Sequence, residues 1–205
     1  MSKSPSARAQ ITVAILAGGQ GVRVNGQDKG LMLLGGEPLV ARVCERMRDQ
    51  CAALLICANR NAQEYARYAP VTRDAVPGNE PGFRGPLAGI AAALAVCKTP
   101  WLLTVPVDSP CPPDNLAERL LAVAVSSGSN GAVARCGTQR EPTFALYRDV
   151  LAGSATAAVG RNGSVRGWQD ECGVVEVEWP ESSATNFVNL NTIAEFQRWE
   201  AEHNG

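Results

Sequence analysis

Lys29, Arg23 and Asp108 are the side chains of this chain best suited, by type and surroundings, to phosphate chemistry. Residues 13–30 read VAILAGGQGVRVNGQDKG. An apolar run, Val13 to Leu16, enters Ala17-Gly18-Gly19 and then a polar loop ending in Asp28-Lys29-Gly30. Glycines directly after a strand let backbone N–H groups come close to phosphate oxygens. Arg23 and Lys29 bring two cations to the same oxygens. The stretch reads as a grip for a nucleoside triphosphate. Moving a nucleotide from such a donor also calls for a divalent ion held by one or two carboxylates. Asp108 is the candidate, because it follows the buried run Trp101 to Val105 and sits between Val107 and Ser109-Pro110. Acids at strand carboxyl ends line the ligand crevice of open α/β sheets. The alternative for Asp108 is an Asx turn or helix cap ahead of Pro112-Pro113.

Two familiar phosphate loops do not fit. The dinucleotide fingerprint needs a third glycine where Val24 stands, and the P-loop needs Gly-Lys-Ser/Thr where Lys29 follows Asp28. The lone histidine, His203, lies in the polar end AEHNG, so the chemistry rests on carboxylates, cations and a hard metal. Seven cysteines with no CxxC pairing read as reduced thiols; Cys44, Cys51, Cys57 and Cys97 lie among apolar residues. A net charge of −1 gives no reason to expect nucleic acid or an anionic membrane as partner. No stretch approaches the roughly 20 apolar residues of a membrane span. Residues 1–10, MSKSPSARAQ, read as a disordered tail without an apolar signal region, which places the chain in the cytoplasm.

The elements that must position these residues alternate in type, which argues for an α/β fold on a mainly parallel sheet. Strands are expected at 12–16, 53–58, 101–105, 132–135, 143–147, 174–177 and 187–190. Helices are expected from Pro38 to about Gln50, at 62–68 and at 87–97. Others are expected from Pro113 to about Val125, in parts of 151–172, and at 192–202 with Ile193, Phe196 and Trp199 inward. Residues 74–85, rich in Pro and Gly, form a long loop. At 205 residues and 45% hydrophobic content, one well-filled core is expected.

Leu16 to Lys29 resembles the LAGG-x-x-x-R-x-x-x-x-DK signature of nucleotidyltransferases with a glycosyltransferase-A-like Rossmann fold. Further matches are Asn59-Arg60, Gly85-Pro86-Leu87-Ala88-Gly89, Val107-Asp108-Ser109-Pro110, Pro142-Thr143-Phe144-Ala145-Leu146 and Asn189-Leu190-Asn191-Thr192. With these, residues 11–200 are similar to the molybdenum cofactor guanylyltransferase (MobA) family. The resemblance implies a single-domain three-layer α/β/α Rossmann-like fold over residues 11–205 with a mostly parallel central sheet. It implies transfer of GMP from GTP to molybdopterin cofactor with release of pyrophosphate, using Mg2+ or Mn2+. It assigns nucleotide binding to Leu16, Ala17, Gly18, Gly19, Lys29, Cys57, Asn59, Asp74 and Asp108. Catalysis falls to Arg23, Lys29 and Asp108, with Asp108 the metal ligand, and the acceptor side to Arg161, Asn189 and Asn191. Gly160 and Arg166 lie in the same acceptor loop.

Two departures bear on base choice: Cys57 stands where the family has Asn, and Val24-Asn25 where many relatives continue Met-Gly. Asp74 reads either as the acceptor of the guanine N1–H and N2–H2 edge or as a loop-start cap. Thr192 or Asn191 can equally be the cap of the last helix. The rival readings are a cytidylyltransferase of the same cofactor, a sugar-phosphate nucleotidyltransferase, and a non-catalytic cofactor-delivery protein. The expected partners are GTP, the molybdopterin cofactor, and client molybdoenzymes or their chaperones, with the chain a monomer.

Overall fold

The computed structural model describes residues 7–18, 28–74 and 85–203. It begins with a 3-10 turn, Ala7–Gln10, inside the stretch expected to be a disordered tail. Arg8 anchors that turn by donating from Nε to Cys51 O at 3.1 Å.

Each apolar run then finds a layer to fill. β1 (Ile11–Leu16) is buried along nearly its whole length. A short ribbon, β2 (Leu33–Leu34) and β3 (Glu37–Pro38), turns through Gly35 and Gly36 at φ 61° and 80°, a conformation glycine adopts without strain. Pro38, with its fixed φ, delivers the chain into α1 (Leu39–Arg48). β4 (Ala53–Cys57), α2 (Ala62–Tyr65) and β5 (Val71–Thr72) follow. α2 is a single turn, shorter than the expected helix to Tyr68. α3 (Pro86–Val96) opens on a proline at its first turn, and its small residues Ala88, Gly89, Ala91, Ala92 and Ala93 are all buried. A helix apolar all round belongs inside, and α3 lies between the sheet and a later helix.

β6 (Trp101–Pro106) is buried at every position. α4 (Leu116–Ser127) starts three residues after Pro113, where the helix was expected to begin. The buried side chain of Gln50 explains the delay. It donates to Pro113 O at 2.9 Å and accepts from Ala117 N at 3.0 Å, serving as a cap from outside the helix. The antiparallel hairpin β7 (Gly131–Cys136) and β8 (Gln139–Arg148) leads to α5 (Ala152–Gly160), α6 (Val165–Glu171), β9 (Val175–Trp179) and α7 (Ile193–His203). Residues 161–164 separate α5 from α6.

The sheet order is β5-β4-β1-β6-β8-β7-β9. β5, β4, β1 and β6 are mutually parallel, β8 is antiparallel to both its neighbours, and β9 is parallel to β7. Two apolar clusters cover the two faces, one with α1 and α4, the other with α3, α5 and α6. The expected three-layer α/β/α arrangement is present. Register places Leu16 beside Cys57 and Pro106, and Cys57 beside Thr72. The residues that follow these strands therefore leave on one edge, with β1 at the point where the strand order reverses.

Two expectations fail near the chain end. Residues 187–190 form no strand: Phe187 closes a 3-10 run, Glu181–Phe187, and packs edge-on against Phe144 at 5.0 Å. The backbone beyond it bonds the end of β6, with Leu190 N donating to Asp108 O at 2.8 Å. Ile193 is 43% exposed, while Phe196 and Trp199 are buried with Leu34, Leu39 and Leu190.

Two local devices hold the chain at that edge. Lys29 opens a 3-10 turn, Lys29–Leu31, capped by Asp28, whose carboxylate is 6% exposed. Asp28 accepts from Tyr65 Oη at 2.5 Å, Asn61 Nδ2 at 3.0 Å and Gly30 N at 3.3 Å, and it pairs with Arg60. Burial, with the carboxylate beside it, pushes the Tyr65 hydroxyl pKa up, so Tyr65 stays a donor. At the other end, Thr192 and Glu195 form a capping box: Glu195 N donates to Thr192 Oγ1 at 3.2 Å. The Glu195 carboxylate accepts from Asn191 N at 2.5 Å and Thr192 N at 2.9 Å.

An alanine at position 30 puts its Cβ 2.4 Å from Tyr65 Oη and 2.8 Å from Val107 Cγ2. Gly30→Ala is therefore expected to cost about 1–3 kcal/mol, read as a lower melting temperature; an unchanged melt contradicts this packing. Bonds to the backbone of Asn191 and Thr192 hold the Glu195 carboxyl below its usual 4.5. Its contribution to stability is complete above that value and is lost as pH falls through the lower folded pKa. Melting temperatures of wild type and Glu195→Gln should differ at neutral pH and converge on acidification below 4.5. A constant gap across that range contradicts the cap.

Candidate active site

At the edge where β1 and β6 end, a cation meets two oxygen donors. Lys29 Nζ donates to Asp108 Oδ2 at 3.0 Å and to Asn191 Oδ1 at 2.6 Å. The Lys29 and Asp108 side chains are 19% and 20% exposed, so the pair is largely withdrawn from water yet still open to a ligand. Asp108 acts as neither Asx turn nor helix cap. Its carboxylate faces Lys29, and its carbonyl receives Leu190 N. Ser109, fully buried, fastens the same junction with Oγ at 2.8 Å from both Val188 O and Asn189 Oδ1. Asn191 Nδ2 donates to Asn189 O at 3.2 Å, which turns its oxygen toward Lys29. Thr192 is the helix cap, leaving the Asn191 side chain to the site.

On the other side of β1, Asn59 and Asp74 clasp each other. Asn59 Nδ2 donates to Asp74 Oδ2 at 2.7 Å, and Asp74 N donates to Asn59 Oδ1 at 3.0 Å. Burial raises the Asp74 pKa, and the Asn59 hydrogen bond partly opposes the rise. Gly89, in the first turns of α3, backs this crevice; a Cβ there would lie 3.4–3.6 Å from Leu16, Cys57 and Asp74. Gly18 faces Asn59 Nδ2 at 4.0 Å by the same measure. Leu16 O already accepts from Val107 N at 3.1 Å, and Ala17 N donates to Cys57 O at 2.9 Å. Those two groups hold the sheet together at its edge.

The sequence-predicted residues divide accordingly. Lys29, Asp108 and Asn191 are brought together, as are Asn59, Asp74 and the ends of Leu16 and Cys57. Cys57 is 2% exposed and its thiol donates to Gly89 O at 3.4 Å, so it offers nothing outward. Burial drives its pKa up, and the thiol stays protonated. Asn189 is turned onto Ser109. Arg161 is not among these groups: at 59% exposure it pairs with Glu171 at 2.6 Å, on the surface beyond α5. Gly19 and Arg23 lie outside the described residues. Sequence reasoning missed Tyr65, Asn61, Ser109 and Glu195: Tyr65 and Asn61 hold Asp28, Ser109 holds Asn189, and Glu195 holds the backbone of Asn191. Only the T-x-x-E spacing of Thr192 and Glu195 carried a readable signal.

The chain is similar to proteins already known. Residues 13–173 match the MobA-like NTP transferase domain family. The chain is 38% identical over 201 residues to a molybdenum cofactor guanylyltransferase from Ralstonia nicotianae, covering 93% of this chain and 96% of that protein. It is 38% identical over 190 residues to one from Vibrio cholerae, covering 92% and 91%. Among solved structures, molybdopterin-guanine dinucleotide biosynthesis protein A from Archaeoglobus fulgidus aligns with a TM-score of 0.74 at 23% identity, covering 94% of this chain and 98% of that one. A 2-C-methyl-D-erythritol 4-phosphate cytidylyltransferase from Thermus thermophilus shares the fold, with a TM-score of 0.67 at 17% identity over 94% of this chain and 98% of that one. Matched along most of its length, the chain belongs to the MobA-like NTP transferase family.

Proposed function

We propose that this enzyme transfers GMP from GTP to the terminal phosphate of molybdopterin cofactor and releases pyrophosphate. The observation that carries the reading is the Lys29–Asp108–Asn191 constellation, set on the edge where β1 and β6 end. An oxygen of the acceptor phosphate attacks the α-phosphorus of GTP. A new phosphoanhydride bond forms as the bond to the pyrophosphate oxygen breaks. The acceptor phosphate is already ionised at neutral pH, so the site needs no general base.

Asp108 and Asn191 supply hard oxygen donors that converge on one cationic position, now held by Lys29 Nζ. Among the described residues no group of three His, Cys, Asp or Glu side chains gathers to cage a metal. Such a sparse donor set fits Mg2+, which takes one or two carboxylates and completes its shell with phosphate oxygens and water. Asp108 would hold it, with Mn2+ able to use the same oxygens. Held by Asp108, such an ion would supply positive charge to the phosphates. Lys29 adds a mobile ammonium to the same oxygens, and Arg23 is assigned the β- and γ-phosphates by the resemblance. Asp74 accepts the base edge. The resemblance assigns the acceptor side to Asn191, Asn189 and Arg161. No helix among the described residues is long and apolar enough to cross a membrane. We take residues 11–205 as one nucleotidyltransferase domain, a cytoplasmic monomer passing its product to client molybdoenzymes or their chaperones.

Pyrophosphate release should require molybdopterin cofactor and Mg2+ and proceed with GTP in preference to CTP. Asp108→Asn should lower the rate by about a hundredfold or more, since the carboxylate that would hold the charge-offsetting ion is lost. Preference for CTP, or an Asp108→Asn variant as fast as wild type, contradicts the reading.

A further inference from the structure

Position 57 cannot read a base in this chain, because the Cys57 thiol is buried and committed to Gly89 O at 3.4 Å. The group that bears on Asp74 instead comes from two residues later. Asn59 follows β4 and Asp74 follows β5; the two strands are parallel, and Ala58 N donates to Thr72 O at 3.0 Å just before both. The Asn59 amide uses its donor and its acceptor on one residue: Nδ2 on Asp74 Oδ2 at 2.7 Å and Oδ1 on Asp74 N at 3.0 Å. Held at its backbone and at one oxygen, the Asp74 carboxylate is oriented. Its other oxygen, Oδ1, is turned toward Gly89 and lies 3.6 Å from where a Cβ at that position would stand.

We propose that Asn59 is the positioning residue for base choice: by clasping Asp74 it orients the carboxylate that selects guanine. The inference rests on the guanylyl-transfer reading above and names the residue through which its base selectivity is exercised. Guanine offers two donors, N1–H and N2–H2, to a fixed carboxylate. Hypoxanthine keeps the first and lacks the second, and cytosine presents an acceptor where guanine has a donor. A site built to satisfy donors on its ligand rejects an analogue without them, because its own acceptor is left unpaired. A freely rotating Asp74 keeps its charge but loses that geometric test. Burial pushes the Asp74 pKa up, so Asn59 also favours the ionised, accepting form by donating to it.

Calorimetric titration of the full chain with GTP, ITP and CTP, each with Mg2+, separates this role from a structural one. Wild type should bind GTP more tightly than ITP or CTP. In Asn59→Ala the GTP-to-ITP affinity ratio should fall by about tenfold, the worth of one hydrogen bond to a charged group. ITP affinity should fall by less than GTP affinity, since ITP meets Asp74 with one donor where GTP brings two. A general loosening of the fold lowers all three affinities together and leaves the ratio where it was. A ratio unchanged in Asn59→Ala therefore overturns the assignment, as does a ratio that collapses in Cys57→Ala instead. A wild-type chain that binds GTP and CTP alike refutes the guanine reading itself, a failure distinct from loss of the Asn59 role alone.

Discussion

The ion pair between Lys29 and Asp108 is the interaction on which the rest of the site depends. Asp108 stands at the end of a strand buried at every position, and its side chain is only 20% exposed. A carboxylate so placed is costly unless a cation and hydrogen-bond donors compensate for lost water. Lys29 provides the cation at 3.0 Å, and Asn191 secures that cation from the far side at 2.6 Å. Segments remote in sequence must therefore converge: the turn after the glycine-rich loop, the end of β6, and the stretch before α7. Each has its own fastening. Asp28, Tyr65 and Gly30 hold the first, Ser109 and the Asp108 carbonyl join the second to the third, and the Thr192–Glu195 box closes the third.

That convergence divides the work across β1. On one side lie the groups suited to phosphates, a mobile ammonium and a carboxylate. On the other lies an Asn–Asp clasp suited to a base edge. The strand between them contributes backbone, and its last carbonyl and the following N–H keep both neighbouring strands in register. Parallel strands make this economical. Residues just past β1, β4, β5 and β6 emerge on one edge without any added element to gather them.

Much of this was legible in the sequence because it depends on local pattern. The apolar runs around Val13, Leu55 and Leu103 announced buried parallel strands, and the turn from β6 to Asp108 announced its carboxylate. Cys57 could be flagged as unable to do the work of an amide from its chemistry alone. What stayed hidden depends on contacts between remote segments. Residues 187–190 have a strand-like composition, yet their hydrogen bonds go to the Asp108 carbonyl and Ser109, and no ladder forms. Gln50 delays a helix that Pro113 alone would have started. Tyr65 falls within the helix expected at 62–68, and nothing in its sequence neighbourhood announces that its hydroxyl supports Asp28. The resemblance set Arg161 in an acceptor loop, and no local pattern announces that Glu171 pairs with it.

The central claim is that Lys29 and Asp108 act as one unit and do not assist the phosphates independently. A double-mutant cycle on pyrophosphate release measures this directly, comparing kcat/KM for wild type, Lys29→Met, Asp108→Asn and the combined variant. The account predicts strong non-additivity, with the combined variant about as slow as the slower single one. Losses that multiply, leaving the double variant slower by the product of the two, would contradict it.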